Sequence, residues 1–154
     1  MKRLALVLAI LLAILLASAL ASACARKPAR EEAPTIALDI DECRFCRMII
    51  SDARFAAAAE TSTGRTVRFD SIECLAGWVL AEDQPPRAVW VTDAAQPGRL
   101  IPATEAQFSR ERGTSSPMGM GWIAASEGGI TWDSLLVVVR HEGALPAHAG
   151  EEIH

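Results

Sequence analysis

The chain opens on Lys2-Arg3, continues as an apolar run from Leu4 to Leu20 broken by Ser18, and reaches Ala21-Ser22-Ala23-Cys24. This stretch constrains the fold most, because it takes residues 1–23 out of it. A positive start, an apolar stretch and small residues before a cleavage point make an export signal. The run is also close to the roughly 20 residues that span a bilayer, so an uncleaved anchor helix is the other reading. A cysteine at the junction matches a bacterial lipobox, in which Cys24 carries the lipid; Ala21 stands where Leu is usual. Every reading exports the rest of the chain. Ala25 rather than Asp after Cys24 points to the outer membrane, so the expected location is periplasmic or otherwise extracytoplasmic, on a lipid anchor.

With Cys24 assigned to lipid, Cys43, Cys46 and Cys74 remain. An oxidising compartment favours even cysteine counts, so at least one of these thiols is free or bound to something. They are also too sparse to staple a small fold, and the domain must rest on its own hydrophobic core. The whole chain carries a net charge of −4, and losing Lys2 and Arg3 makes the remainder more acidic. That excludes nucleic acid as a partner, which needs a basic face.

Residues 24–35 mix charges with Pro28 and Pro34 and show no apolar period, which suits a lipidated tether. The domain is expected over 36–140, with a flexible tail over 141–154. Ile36, Leu38 and Ile40 alternate as in a strand, and Met48 to Ile50 is extended. Arg54 to Thr61 and Thr66 to Phe69 flank Ser62-Thr63-Gly64-Arg65 and predict a hairpin. Asp70 followed by Glu73 predicts a capped helix, with Ile72, Leu75, Ala76, Val79 and Leu80 as its stripe and Pro85-Pro86 beyond its end. Ala88 to Thr92 reads as a strand and Leu100-Ile101 as a short one. Thr104 to Arg112 predicts a short helix around Phe108. Trp122 to Ala125 reads as a strand, Trp132 to Leu136 as a helix, and Val137 to Val139 as a closing strand. The expected class is α+β: one small domain of short antiparallel strands with two or three short helices.

Cys43-Arg44-Phe45-Cys46-Arg47-Met48 places two thiols and a thioether in six residues. Soft sulfur selects Cu(I), zinc or iron–sulfur clusters over hard cations. Met118-Gly119-Met120 is the natural second sulfur pair, and in extended backbone its side chains leave one face. A thioether is a poor zinc ligand and a good Cu(I) ligand, which favours copper. The other readings are a zinc site from Cys43, Cys46, Cys74 and His141, a redox dithiol, and methionines that simply fill core gaps. Asp41-Glu42 before Cys43 argues against an activated redox thiol. Cys74, in the first turn of the predicted helix, reads as a small buried hydrophobe. His148 and His154 lie in the tail. No Gly-x-Ser-x-Gly, phosphate loop or His-Glu-x-x-His occurs, and nothing in the chain asks for an enzyme.

Cys-x-x-Cys-x-Met-Ile-Ile-Ser-Asp-x-Arg-Phe-Ala-Ala over 43–57, Arg-Phe-Asp-Ser-Ile-x-Cys-Leu over 68–75 and Ser-Pro-Met-Gly-Met-Gly over 116–121 together resemble the NosL family of nitrous-oxide reductase accessory lipoproteins. The resemblance implies a Cu(I)-binding metallochaperone that delivers copper for the reductase's copper centres. Its partners would be the copper ion, the apo reductase and the membrane transporter complex of that assembly system. It implies an α+β fold similar to the organomercurial lyase domain. Met118, Met120, Cys46, Met48 and Cys43 are the expected metal ligands. The rival functions are a zinc- or disulfide-stabilised binding or scaffold lipoprotein and a thiol oxidoreductase serving a copper enzyme. Two positions depart from the family pattern: Arg47 and Glu73 both stand where the family usually has Gly.

Overall fold

A computed structural model describes residues 32–111 and 116–142. Residues 1–23, Cys24, most of the tether and the tail with His148 and His154 lie outside that range. The described fold belongs to the compact unit that begins at Ala33. Its class is α+β, as the sequence patterning predicts.

Thr61 to Arg65 closes the first hairpin. Gly64 takes φ +85° there, the left-handed region open to glycine without steric cost. Strands β1 (Ala57–Glu60) and β2 (Thr66–Phe69) flank this turn antiparallel, with Ala57 opposite Phe69. β3 (Ala88–Thr92) pairs with the other edge of β1, and β4 (Leu100–Pro102) pairs with β3, giving the order β2-β1-β3-β4. Ala57, Ala58 and Ala59 are all fully buried, so β1 is covered on both faces. The Thr92 hydroxyl donates to the Ala56 carbonyl at 2.7 Å and ties the end of β3 to the entry of β1.

Helix α1 (Ile72–Ala81) follows β2 directly. Its N-cap is Ser71, whose hydroxyl accepts from the Cys74 amide at 3.1 Å. The sequence pattern predicts the cap at Asp70, one residue early; that carboxylate is engaged elsewhere. Every residue from Ile72 to Trp78 is buried, and the Phe69 and Trp78 rings pack 5.3 Å apart. A second ribbon pairs β5 (Gln107–Arg110) with β6 (Trp122–Ala125) antiparallel. It joins the main sheet where the Ala94 amide meets the Ala124 carbonyl at 2.7 Å. Helix α2 (Trp132–His141) packs against α1. Among the described residues no helix is long and apolar enough to cross a membrane.

Three expected elements change character. Residues 36–40 form a turn, not a strand: the Ala37 amide donates to the Asp41 carboxylate at 2.6 Å, the Asp41 amide returns to the Ala37 carbonyl at 2.8 Å, and Asp39 adopts φ 60°. The helix expected over Thr104 to Arg112 is not an α-helix across its described part, Thr104 to Glu111. A single 3₁₀ turn, Ala103–Glu105, leads into β5, where Phe108 exchanges both backbone hydrogen bonds with Ile130 at 2.8 Å. Val137 to Val139 continues α2 instead of forming a strand. Thr131 caps the helix, Arg140 and His141 complement the dipole at its end, and Trp132, Leu135 and Val139 turn inward at helical spacing.

Helix and strand give opposite mutational signatures for the valine run. In a strand, Val137 and Val139 would share a face and respond alike; here Val137 is 50% exposed and Val139 fully buried. Val139→Ala is expected to cost about 2 kcal/mol in urea denaturation, and Val137→Ala to stay within about 0.5 kcal/mol.

Candidate metal centre

The turn that carries the first two thiols is closed by its own backbone. The Cys43 amide donates to the Met48 carbonyl at 2.8 Å, the Arg47 amide to the Cys43 carbonyl at 3.1 Å, and the Ile50 amide to the Asp41 carbonyl at 2.9 Å. The Arg44 amide donates to the Arg68 carbonyl at 2.8 Å and fastens the turn to β2. Phe45, between the two cysteines, lies against α1 where Gly77 provides the space; a Cβ at Gly77 would stand 2.9 Å from the ring. These contacts hold the turn over the first turn of α1.

Here the sulfur and oxygen donors of Cys43, Cys46, Cys74 and Asp70 all come within 4.8 Å of one another. A thiolate–metal bond is about 2.3 Å long, so two sulfurs on one ion stand at most about 4.6 Å apart, and the group is close to ligating distance as it stands. Cys43 and Cys74 are fully buried, Asp70 is 2% exposed, and Cys46 is half-buried. The Cys46 thiol donates to Asp70 Oδ2 at 3.1 Å, while Asp70 Oδ1 is buried with no hydrogen-bond partner among the described residues. The cluster occupies the N-terminus of α1, where peptide dipoles favour negative charge.

The thiols share their protons unequally. A hydrogen bond from the Cys74 thiol, with further support from the backbone at Cys46 and Asp70, lowers Cys43 to about 7 against burial. Burial, then the bond to Asp70 and the neighbouring Cys43, push Cys46 up to about 12. Cys74 is raised, first by its bond to Cys43 and then by burial.

The structure brings Cys43 and Cys46 together, as the spacing predicts, and adds two residues that sequence reasoning assigns elsewhere. Cys74 is buried as expected, but its sulfur joins the cluster. Asp70, expected as a helix cap, supplies the carboxylate. The Asp-x-x-x-Cys spacing at the helix start is the signal that could have found both. The fourth position of the zinc alternative is not His141, which is exposed at the end of α2; Asp70 takes that place. Met48 is 43% exposed on the sulfur turn, next in sequence to the exposed Ile49. Met118 and Met120 are half-buried against the core. Their backbone is a turn, not the expected extended segment, with Gly119 at φ 77°, Gly121 at φ 71° and the Gly119 amide on the Ser116 carbonyl at 2.8 Å.

The family model named NosL matches residues 35–128. The chain belongs to the NosL family. In three dimensions it is similar to the copper chaperone NosL from Shewanella denitrificans, with 18% identity and a TM-score of 0.51 over 71% of this chain and 88% of that one. At that identity the likeness shows the fold. No curated protein matches the chain. Within the matched region Arg47 holds φ 69°, a left-handed conformation that glycine adopts without steric cost and a side chain does not. Its guanidinium points away into an ion pair with Glu42 at 2.6 Å and is largely exposed.

Arg47→Gly is expected to stabilise the protein by about 1 kcal/mol in chemical denaturation, because the left-handed strain of a side chain is relieved. Thiolate ultraviolet absorbance of the reduced apoprotein is expected to rise by one thiolate as pH passes about 7, and Cys43→Ser is expected to abolish that step. A first transition at the ordinary thiol value of 9.0 would contradict this proton sharing.

Proposed function

We propose that this protein is a non-enzymatic Cu(I) metallochaperone. It is exported, held at the membrane by lipid on Cys24, and delivers copper for assembly of the copper centres of nitrous-oxide reductase. Its partners are the apo reductase and the membrane transporter complex of the same assembly system. The observation that carries this reading is the convergence of Cys43, Cys46 and Cys74 on one point in a NosL-family chain. Membership of the family and the fold shared with a protein described as a copper chaperone support it.

Three thiols at one point are a soft donor set, which suits Cu(I). Copper here is cargo: it binds to Cys43, Cys46 and Cys74, with the thioethers of Met118, Met120 and Met48 as further soft donors. Loading displaces thiol protons, so copper and protons compete for the same sulfurs. Closure of Cys43 and Cys74 to solvent, with the reachable Cys46 thiol pushed up to about 12 by burial, weighs against a thiol oxidoreductase, whose nucleophilic sulfur must be both accessible and readily ionised. The Asp70 carboxylate favours one rival, since three thiolates and an oxygen also make a tetrahedral zinc site.

Anaerobic titration of the reduced protein with Cu(I) against a competing chelator, beside a Zn(II) titration, separates these readings. The expected result is one tightly held Cu(I) per chain, weakening as pH falls. Cys43→Ser or Cys74→Ser should each cost on the order of tenfold or more in affinity. Preference for zinc, or Cu(I) binding indifferent to the three cysteines and to Met118 and Met120, would sink the proposal.

A further inference from the structure

Glu73 is fully buried in the first turn of α1, beside Cys74. It does not serve as the capping-box residue its position suggests. One oxygen, Oε1, accepts from the Ser116 hydroxyl at 2.8 Å and from the Trp122 amide at 3.2 Å. The Ser116 hydroxyl in turn accepts from the Gly121 amide at 2.9 Å. Both ends of the turn that carries Met118 and Met120 are thus fixed to one carboxylate. The other oxygen, Oε2, is buried with no hydrogen-bond partner among the described residues. Burying a carboxylate with one oxygen unsatisfied costs stability relative to a small apolar residue. What the arrangement supplies is position.

Resting on the copper reading, we propose that Glu73 is a positioning residue: it anchors the Met118-Gly119-Met120 turn one residue from Cys74, so that the thioethers serve the thiol cluster. The residue touches no cargo and acts through Ser116 and Trp122. Loops that present ligands hold their geometry only when fixed from behind, and loss of such an outer contact typically costs 10–100-fold in metal affinity.

The test uses the full reduced chain with ¹³C-methyl-labelled methionine, combining apoprotein NMR with Cu(I) competition. Glu73→Ala is expected to move the Met118 and Met120 methyl signals toward free-methionine positions and to weaken Cu(I) about tenfold. It should weaken Cu(I) no further when Met118→Ala and Met120→Ala are already present. Glu73→Gln, which keeps an oxygen acceptor, should restore both readouts. Ser116→Ala cuts the same contact from the loop side and carries the test if the helix variant does not fold. Unmoved methionine signals, or an affinity loss that persists undiminished without the two methionines, overturns the assignment. Absence of Cu(I) binding in the unaltered protein defeats the copper reading alone, because the apoprotein signals still decide whether Glu73 fixes the turn.

Discussion

The ring of Phe45 rests on α1 at Gly77, and the placement of both turn cysteines depends on that contact. Phe45 sits between Cys43 and Cys46, so seating its ring sets the height and tilt of the loop that bears them. Any side chain at Gly77 would intrude on the ring at 2.9 Å. Glycine inside a helix is unfavourable by about 1 kcal/mol relative to alanine. Here that local cost is exchanged for a close approach of loop to helix that no larger residue permits. Burial of the surrounding helix face, from Ile72 to Trp78, supplies the stability that tolerates it.

Around this contact the molecule concentrates groups that burial ordinarily penalises. Asp70, Glu73, Cys43 and Cys74 are all closed to water within one turn of the start of α1. Each is handled differently. Asp70 accepts from Cys46 on one oxygen and leaves the other without a partner among the described residues, Glu73 reaches away to a distant loop, and the Cys74 thiol donates to Cys43. The sheet and α2 carry the ordinary apolar packing, which leaves the helix start free for polar work.

What sequence can reveal depends on how local each determinant is. The Ser62–Arg65 hairpin and α1 are legible because turn glycine, cap and apolar stripe lie within a few residues of one another. The alternation Ile36, Leu38, Ile40 misleads because period alone does not create a partner strand. The Asp41 carboxylate captures the Ala37 amide first, and Leu38 and Ile40 are left exposed. Phe108 becomes strand because Ile130 and Ala124, far along the chain, offer it a ladder. The cysteine pair is visible as a motif. Asp70 and Cys74 do not read as part of it, since a one-residue shift of the helix cap from Asp70 to Ser71 is what releases that carboxylate for the cluster. Met118 to Met120 reads as extended because the buried contact between Glu73 and Ser116, which shapes the turn, leaves no local signal.

The uneven exposure of the three sulfurs gives the cluster a direction. Cys43 and Cys74 face the interior and Cys46 alone meets solvent, beside the exposed Met48 and Ile49. Any ligand, oxidant or alkylating group approaching from outside therefore encounters the cluster in a fixed order, beginning at Cys46. An exchange that proceeds one bond at a time has a single rim on which to begin and end, and the sulfur on that rim is the one whose proton Asp70 already holds in place.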